Sequence, residues 1–170
     1  MLNPDNNPNS NSNINRKLVL RYKTALLSSF ESEPSATQIR EKVNSFSIAD
    51  EESLTMFERG ALLQDLLDEV FGFGPLGAIL RDPSLREIFV SNYNNVFIRT
   101  ARQEKMGPSE VVFESLEHYL KIVERILTKN NLRLLPENPI ETITFDNGML
   151  IVFTLIEGQT APTLRIRVNV

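Results

Sequence analysis

The chain has 170 residues, 41% of them apolar and 24% charged, with a formal net charge of −4, as expected of a globular unit carrying a polar appendage. That acidic balance is wrong for a nucleic-acid binder, which needs a basic footprint. With no cysteine and a single histidine, disulfides, thiolate catalysis, zinc–sulfur sites and His-rich metal centres are excluded.

Residues 1–15, MLNPDNNPNSNSNIN, hold almost no apolar groups and read as a disordered tail, because so little burial cannot offset the entropy of ordering. They offer neither the basic start nor the apolar core of a secretory signal. The apolar run Met149 to Ile156 is far shorter than the roughly 20 residues of a membrane helix. The expectation is a cytoplasmic chain without direct membrane insertion. From Arg16 a helix is predicted, with Leu18, Val19, Tyr22, Leu26, Leu27 and Phe30 on its apolar side. Its basic residues Arg16, Lys17, Arg21 and Lys23 read as a solvated face.

Glu33-Pro34 breaks that pattern, and Ser35 with Gln38 fits a capping box opening a second helix through Ile39, Val43 and Phe46. Asp50 is expected to cap a third helix, with Glu51 and Glu52 at its positive end. This helix would run through Leu54, Phe57 and Ala61 to Phe71. Gly72, free to adopt the left-handed conformation, is expected to close it, and Pro75 cannot continue it. One short turn follows, carrying Leu76, Ile79 and Leu80, and stops at Asp82-Pro83. Gly72, Gly74, Pro75, Asp82 and Pro83 thus form a structural hinge.

Past the hinge the period changes. Glu87 to Val90 and Val96 to Ile98 read as strands around a turn at Tyr93-Asn94-Asn95. A loop at Met106-Gly107-Pro108 precedes an extended piece, Val111 to Phe113. Ser115 caps a helix bearing Leu116, Tyr119, Leu120, Val123, Ile126 and Leu127 on one stripe, and Asn130-Asn131 ends it. Pro136 and Pro139 mark an extended loop. Asp146-Asn147-Gly148 is a hairpin turn into Leu150 to Phe153, whose continuous apolar character marks the innermost strand. Thr163 to Val168 alternates as a last strand with Arg165 and Arg167 on one face. The fold class is α+β: about three helices over residues 16–74, then an antiparallel sheet packed by one main helix over residues 75–170.

Chemistry is sparse. Gly72 to Gly77 matches G-x-G-x-x-G, but a helix precedes it, Pro75 removes an amide and only one turn follows, so it reads as the hinge rather than a dinucleotide fingerprint. No G-x-x-x-x-G-K-[ST] loop occurs. Asp65, Asp68 and Glu69 read as a solvated face and His118 as a surface residue; neither has the partners that acid–base or nucleophilic catalysis requires. No catalytic residue and no metal site are assigned. Arg133, Arg165 and Arg167 are the candidate phosphate or partner contacts, since forked guanidinium groups suit such ligands.

The run Asp68-Glu69-Val70, Gly72, Gly74-Pro75-Leu76, Leu80, Asp82-Pro83, Glu87-Ile88 and Val90 resembles the N-terminal domain of CpaF/TadA-type ATPases, in the type II/type IV secretion ATPase superfamily. The resemblance continues through Ser115 to Leu127, Asp146-Asn147-Gly148 and Thr163-Leu164-x-Ile166-Arg167. It implies a helical bundle followed by a PAS-like α/β domain, stacked in a hexameric ring over a RecA-like motor that carries the Walker motifs. Such bacterial motors drive pilus assembly or secretion from the cytoplasmic side of the inner membrane. The sequence departs from the family in three places. Val90-Ser91-Asn92 stands where the family has V-N-G after the first strand, a change the fold tolerates because Asn can replace Gly in a left-handed turn. The chain stops just after Arg167, about where the linker to the motor begins. Of the charged stretch that lines the family's nucleotide face, Arg133, Pro139, Asn147 and Gly148 persist, whereas Leu135, Thr142, Thr144 and Leu150 stand at charged positions.

The resulting expectation is a non-catalytic component acting through protein contacts, docked on a secretion ATPase or inner-membrane platform protein. It would have no cofactor of its own, ATP entering only through a joined motor, and self-association is compatible with this reading. One alternative is the N-terminal fragment of a complete ATPase; another is a small-ligand sensor with a PAS-like sheet.

Overall fold

The computed structural model describes residues 16–48 and 53–168, which form two compact units meeting at Val70/Phe71. Among these residues no helix is long and apolar enough to cross a membrane. The predicted tail at 1–15 and the expected cap at Asp50-Glu51-Glu52 lie outside the described residues.

The first unit is helical: α1 (Arg16–Ser28), α2 (Ala36–Ser45) and α3 (Met56–Phe71, whose last residue belongs to the second unit). The Ser35–Gln38 capping box is present, the Ser35 hydroxyl accepting from Gln38 N and the Gln38 side chain accepting from Ser35 N at 2.8 Å. α3 begins later than the sequence suggested. Thr55 and Glu58 form its box, the carboxylate accepting from Thr55 N at 2.8 Å and Thr55 Oγ1 accepting from Glu58 N at 3.2 Å. Leu54 therefore precedes the helix, and Phe57 is 71% exposed. Tyr22, Leu26, Ile39, Val43, Leu62 and Leu66 make the core of this unit, each worth roughly 1.5–3 kcal/mol of burial. Glu69 is not simply solvated, because it pairs with Lys23 at 2.9 Å with both side chains largely covered.

The second unit carries α4 (Leu76–Leu80), β1 (Leu85–Asn92), β2 (Asn95–Thr100), β3 (Gly107–Pro108), α5 (Leu116–Lys129), β4 (Ile140–Thr144), β5 (Leu150–Thr154) and β6 (Thr163–Arg167). The strands make one antiparallel six-stranded sheet in the order β3-β2-β1-β6-β5-β4. One face is packed by α5, whose Tyr119, Ile122, Val123 and Ile126 meet Ile88, Val90, Phe153, Leu164 and Ile166 in a single core. Ser115 caps α5 as expected, accepting from His118 N at 3.1 Å. The buried Tyr119 hydroxyl donates to the Pro162 carbonyl at 2.7 Å.

Four expectations for this unit need correction. β5 is not innermost: it lies one strand from the β4 edge, and β1 and β6 are central. Its unbroken apolar run arises because Leu150 and Val152 face away from α5 and are half-buried, while Ile151 and Phe153 enter the core. β4 was not predicted. Its alternation, with Ile143 buried and Thr142 and Thr144 exposed, was hidden behind Pro136 and Pro139. Val111 to Phe113 joins no strand; Phe113 N bonds the Tyr93 carbonyl at 2.8 Å, and the paired segment is Gly107–Pro108.

The fourth correction concerns the hinge. Gly74, not Gly72, takes the left-handed conformation, at φ 57°. A Cβ on Gly74 would run into Ile122 of α5, so both backbone and packing demand glycine there. The Gly72 and Phe71 carbonyls accept from Arg125 and Lys129 of α5, which draws these residues into the second unit ahead of the predicted 74/75 boundary. Pro75 starts α4 at φ −61°, and Asp82 Oδ1 accepts from Ser84 N at 2.8 Å to turn the chain into β1. That bond holds the Asp82 carboxyl below its usual pKa.

Candidate functional site

The face of the sheet away from α5 gathers the charged residues. A register shift between Leu85 and Glu87 lets Leu85 enter the core while Glu87 turns to the opposite face. Cross-strand pairing then sets Glu87 between Arg99 of β2 and Arg167 of β6, with Arg165 two pairs along on the same face, opposite Phe89. Glu87 Oε2 accepts from Arg99 Nη2 at 3.3 Å. Glu87 Oε1 accepts from Arg165 Nη1 at 3.3 Å and Arg167 Nε at 3.2 Å.

The carboxylate is only 8% exposed, whereas Arg99, Arg165 and Arg167 are 36%, 43% and 57% exposed. Burial pushes the Glu87 carboxyl up, but hydrogen bonds from Arg167 and Arg99 and the charges of Arg165 and Arg167 outweigh it, and the pKa is lowered. Glu87 is therefore an anion and an acceptor only. Among the described residues these guanidinium groups have Glu87 as their acidic partner. One carboxylate neutralises one of the three, so among the described residues two positive charges on this face have no acidic counterpart.

Apolar surface adjoins the charges. Phe89 stacks on Phe97 at 6.5 Å between ring centroids, and the Arg165 guanidinium lies 5.1 Å over the Phe89 ring. Arg165 and Arg167, with Phe89, Leu150, Val152 and Thr163, line a shallow depression of about 300 Å³. Forked guanidinium groups of this kind are chemically suited to an anionic or acidic ligand. It holds no nucleophile–base pair, and among the described residues no cluster of His, Asp and Glu suits a metal ion.

Of the arginines singled out in the sequence, the structure brings Arg165 and Arg167 together. Arg133 lies apart, lining a groove of about 680 Å³ beside the end of α5 with Leu127, Asn131, Leu134 and Thr160. Sequence reasoning missed Glu87 and Arg99. Their signal was a charged residue on the outward face of an otherwise apolar strand, with an arginine one alternation beyond Phe97. His118 is not bare surface: Nδ1 accepts from Glu114 N at 3.3 Å and the ring abuts Phe113.

No family model matches the sequence. No curated protein matches it either. Among solved structures, the VirB11 ATPase of the Brucella suis type IV secretion system, in complex with sulphate, is similar over 56% of this chain, with 18% identity and a TM-score of 0.47. This chain spans 30% of the length of that structure. A likeness of that size assigns neither activity nor partner.

Proposed function

We propose that this chain is a non-catalytic domain of the secretion-ATPase N-terminal kind, which acts by docking on the motor ATPase of a secretion or pilus system at the cytoplasmic side of the inner membrane. The observation that carries the reading is the Glu87 cluster: three guanidinium groups, each one-third or more exposed, held by one buried carboxylate on the sheet face away from α5, beside stacked phenylalanines. Arginine and aromatic residues concentrate where protein contacts gain most of their energy. The surplus charge selects an acidic patch on the partner, and Glu87 prearranges the arginines so that less is lost in ordering them.

The same face bears on nucleotide. Thr142, Thr144 and Leu150, which stand at positions charged in the family the sequence resembles, lie on this side of the sheet, Thr144 opposite Leu150 and Thr142 opposite Val152. Uncharged there, they offer phosphate no ionic partner, and on this reading the chain alone neither binds nor hydrolyses ATP. A second reading is favoured by Arg165 and Arg167 themselves: in a complete ATPase such a pair would face the phosphates of a nucleotide held by the motor. Isothermal titration of this chain with ATP and magnesium tests the first. The first reading predicts no binding up to millimolar nucleotide, and micromolar binding by this chain would overturn it.

A further inference from the structure

The two edges of the sheet are treated differently. At one end β3 is two residues long and contains Pro108, two standard ways of blocking an edge. At the other end β4 runs for five residues, Ile140-Glu141-Thr142-Ile143-Thr144, with no proline, no lysine and no register shift against β5.

Its hydrogen bonds show which groups stay open. Leu155 N bonds the Pro139 carbonyl at 2.7 Å and Phe145 N bonds the Met149 carbonyl at 2.9 Å. Counting from either end, the bonded pairs with β5 are Glu141–Phe153 and Ile143–Ile151. The N–H and C=O groups of Ile140, Thr142 and Thr144 therefore point away from the sheet. All three residues are exposed, Ile140 at 54%.

From this edge we infer that β4 is a self-pairing strand, at which a second copy of the chain adds antiparallel across a two-fold axis through Thr142. Charge selects that register. An axis at Glu141 sets two carboxylates directly opposite each other, which is unfavourable. An axis at Thr142 places Glu141 against Ile143 of the partner subunit. It also matches every outward group: Thr142 pairs with Thr142 of the partner subunit and Ile140 with Thr144 of the partner subunit, each pair exchanging both bonds. The β-branched side chains suit such contacts. The result is a continuous sheet of two copies, closed by symmetry. The interface is small, so the dimer dissociates on dilution.

The test is sedimentation equilibrium of the full chain over a concentration series, with Thr142→Pro, Thr142→Lys and Thr142→Glu. Thr142 gives no bond to β5, so proline there removes an outward donor and leaves the β4–β5 ladder intact; circular dichroism checks that each variant folds. We expect a reversible dimer for the native chain, weakened by about tenfold or more in Thr142→Pro and in each charged variant alone. Mixing Thr142→Lys with Thr142→Glu restores the dimer, because opposite charges then meet across the axis. A native chain that stays monomeric, an assembly larger than a dimer, or a dimer indifferent to all three substitutions would overturn the inference.

Discussion

Replacing Glu87 with glutamine probes the arginine cluster directly. The amide keeps the shape and one acceptor but loses the charge that draws in three guanidinium groups at 3.2–3.3 Å. Because the arginines are one-third to over one-half exposed, they are screened by solvent, and each pair contributes at the surface scale of about 0.2–1 kcal/mol. The sum is roughly 1–2 kcal/mol, including the repulsion released among the arginines. For a unit the size of Phe71–Val170 this lowers Tm by roughly 5–10 °C at pH 7.

The pH dependence follows from the direction of the shift. The Glu87 pKa is lowered by folding, so its contribution is fully present above the unfolded value, about 4.3, and disappears as pH falls through the folded one. Thermal unfolding of both proteins between pH 7 and pH 2.5 should show a constant gap down to about pH 5, closing below it. An equal gap at the lowest pH, or none at pH 7, would refute the account of the cluster.

Other substitutions test the scaffold. Gly74→Ala should cost about 2–4 kcal/mol, combining left-handed strain with the collision at Ile122; denaturant unfolding measures it. Gly60→Ala, in α3 with open space around the added methyl, should instead stabilise by about 0.5–1 kcal/mol in the same assay. Tyr119→Phe leaves the Pro162 carbonyl without its 2.7 Å donor and should lose about 1–3 kcal/mol, visible as a lower urea midpoint. Thr55→Ala removes the N-cap of α3 and should cost about 1 kcal/mol, read as reduced helical signal loss temperature by circular dichroism.

Local chemistry was legible in the sequence where one segment decides the outcome. The Ser35 and Ser115 caps, the Asp146-Asn147-Gly148 turn with Gly148 at φ 81°, and the shared face of Arg165 and Arg167 all follow from neighbours a few residues apart. The start of α3 obeys the same rule, but the helix was expected to begin at an Asp50 cap and run through Leu54, and that reading masked the Thr55–Glu58 box. What was not legible depends on contacts distant in the chain. Gly74 is fixed by Ile122, and Glu87 meets Arg165 and Arg167 across 78 and 80 residues. Strand order put β1 and β6 at the centre, although β5 has the more apolar run, since hydropathy does not say which strand pairs with which. Arg133 looked equivalent to the other arginines until the sheet set it beside α5 instead.

The central claim is that the arginine face meets a motor ATPase. Co-purification of the tagged chain from the cell that makes it, with the captured proteins identified by mass spectrometry, tests this when run beside Arg165→Gln/Arg167→Gln, which leaves Arg99 on Glu87. The account predicts a P-loop ATPase recovered with the native chain and lost with the double variant. Recovery of unrelated proteins alone, or of the ATPase undiminished by the double variant, would contradict it.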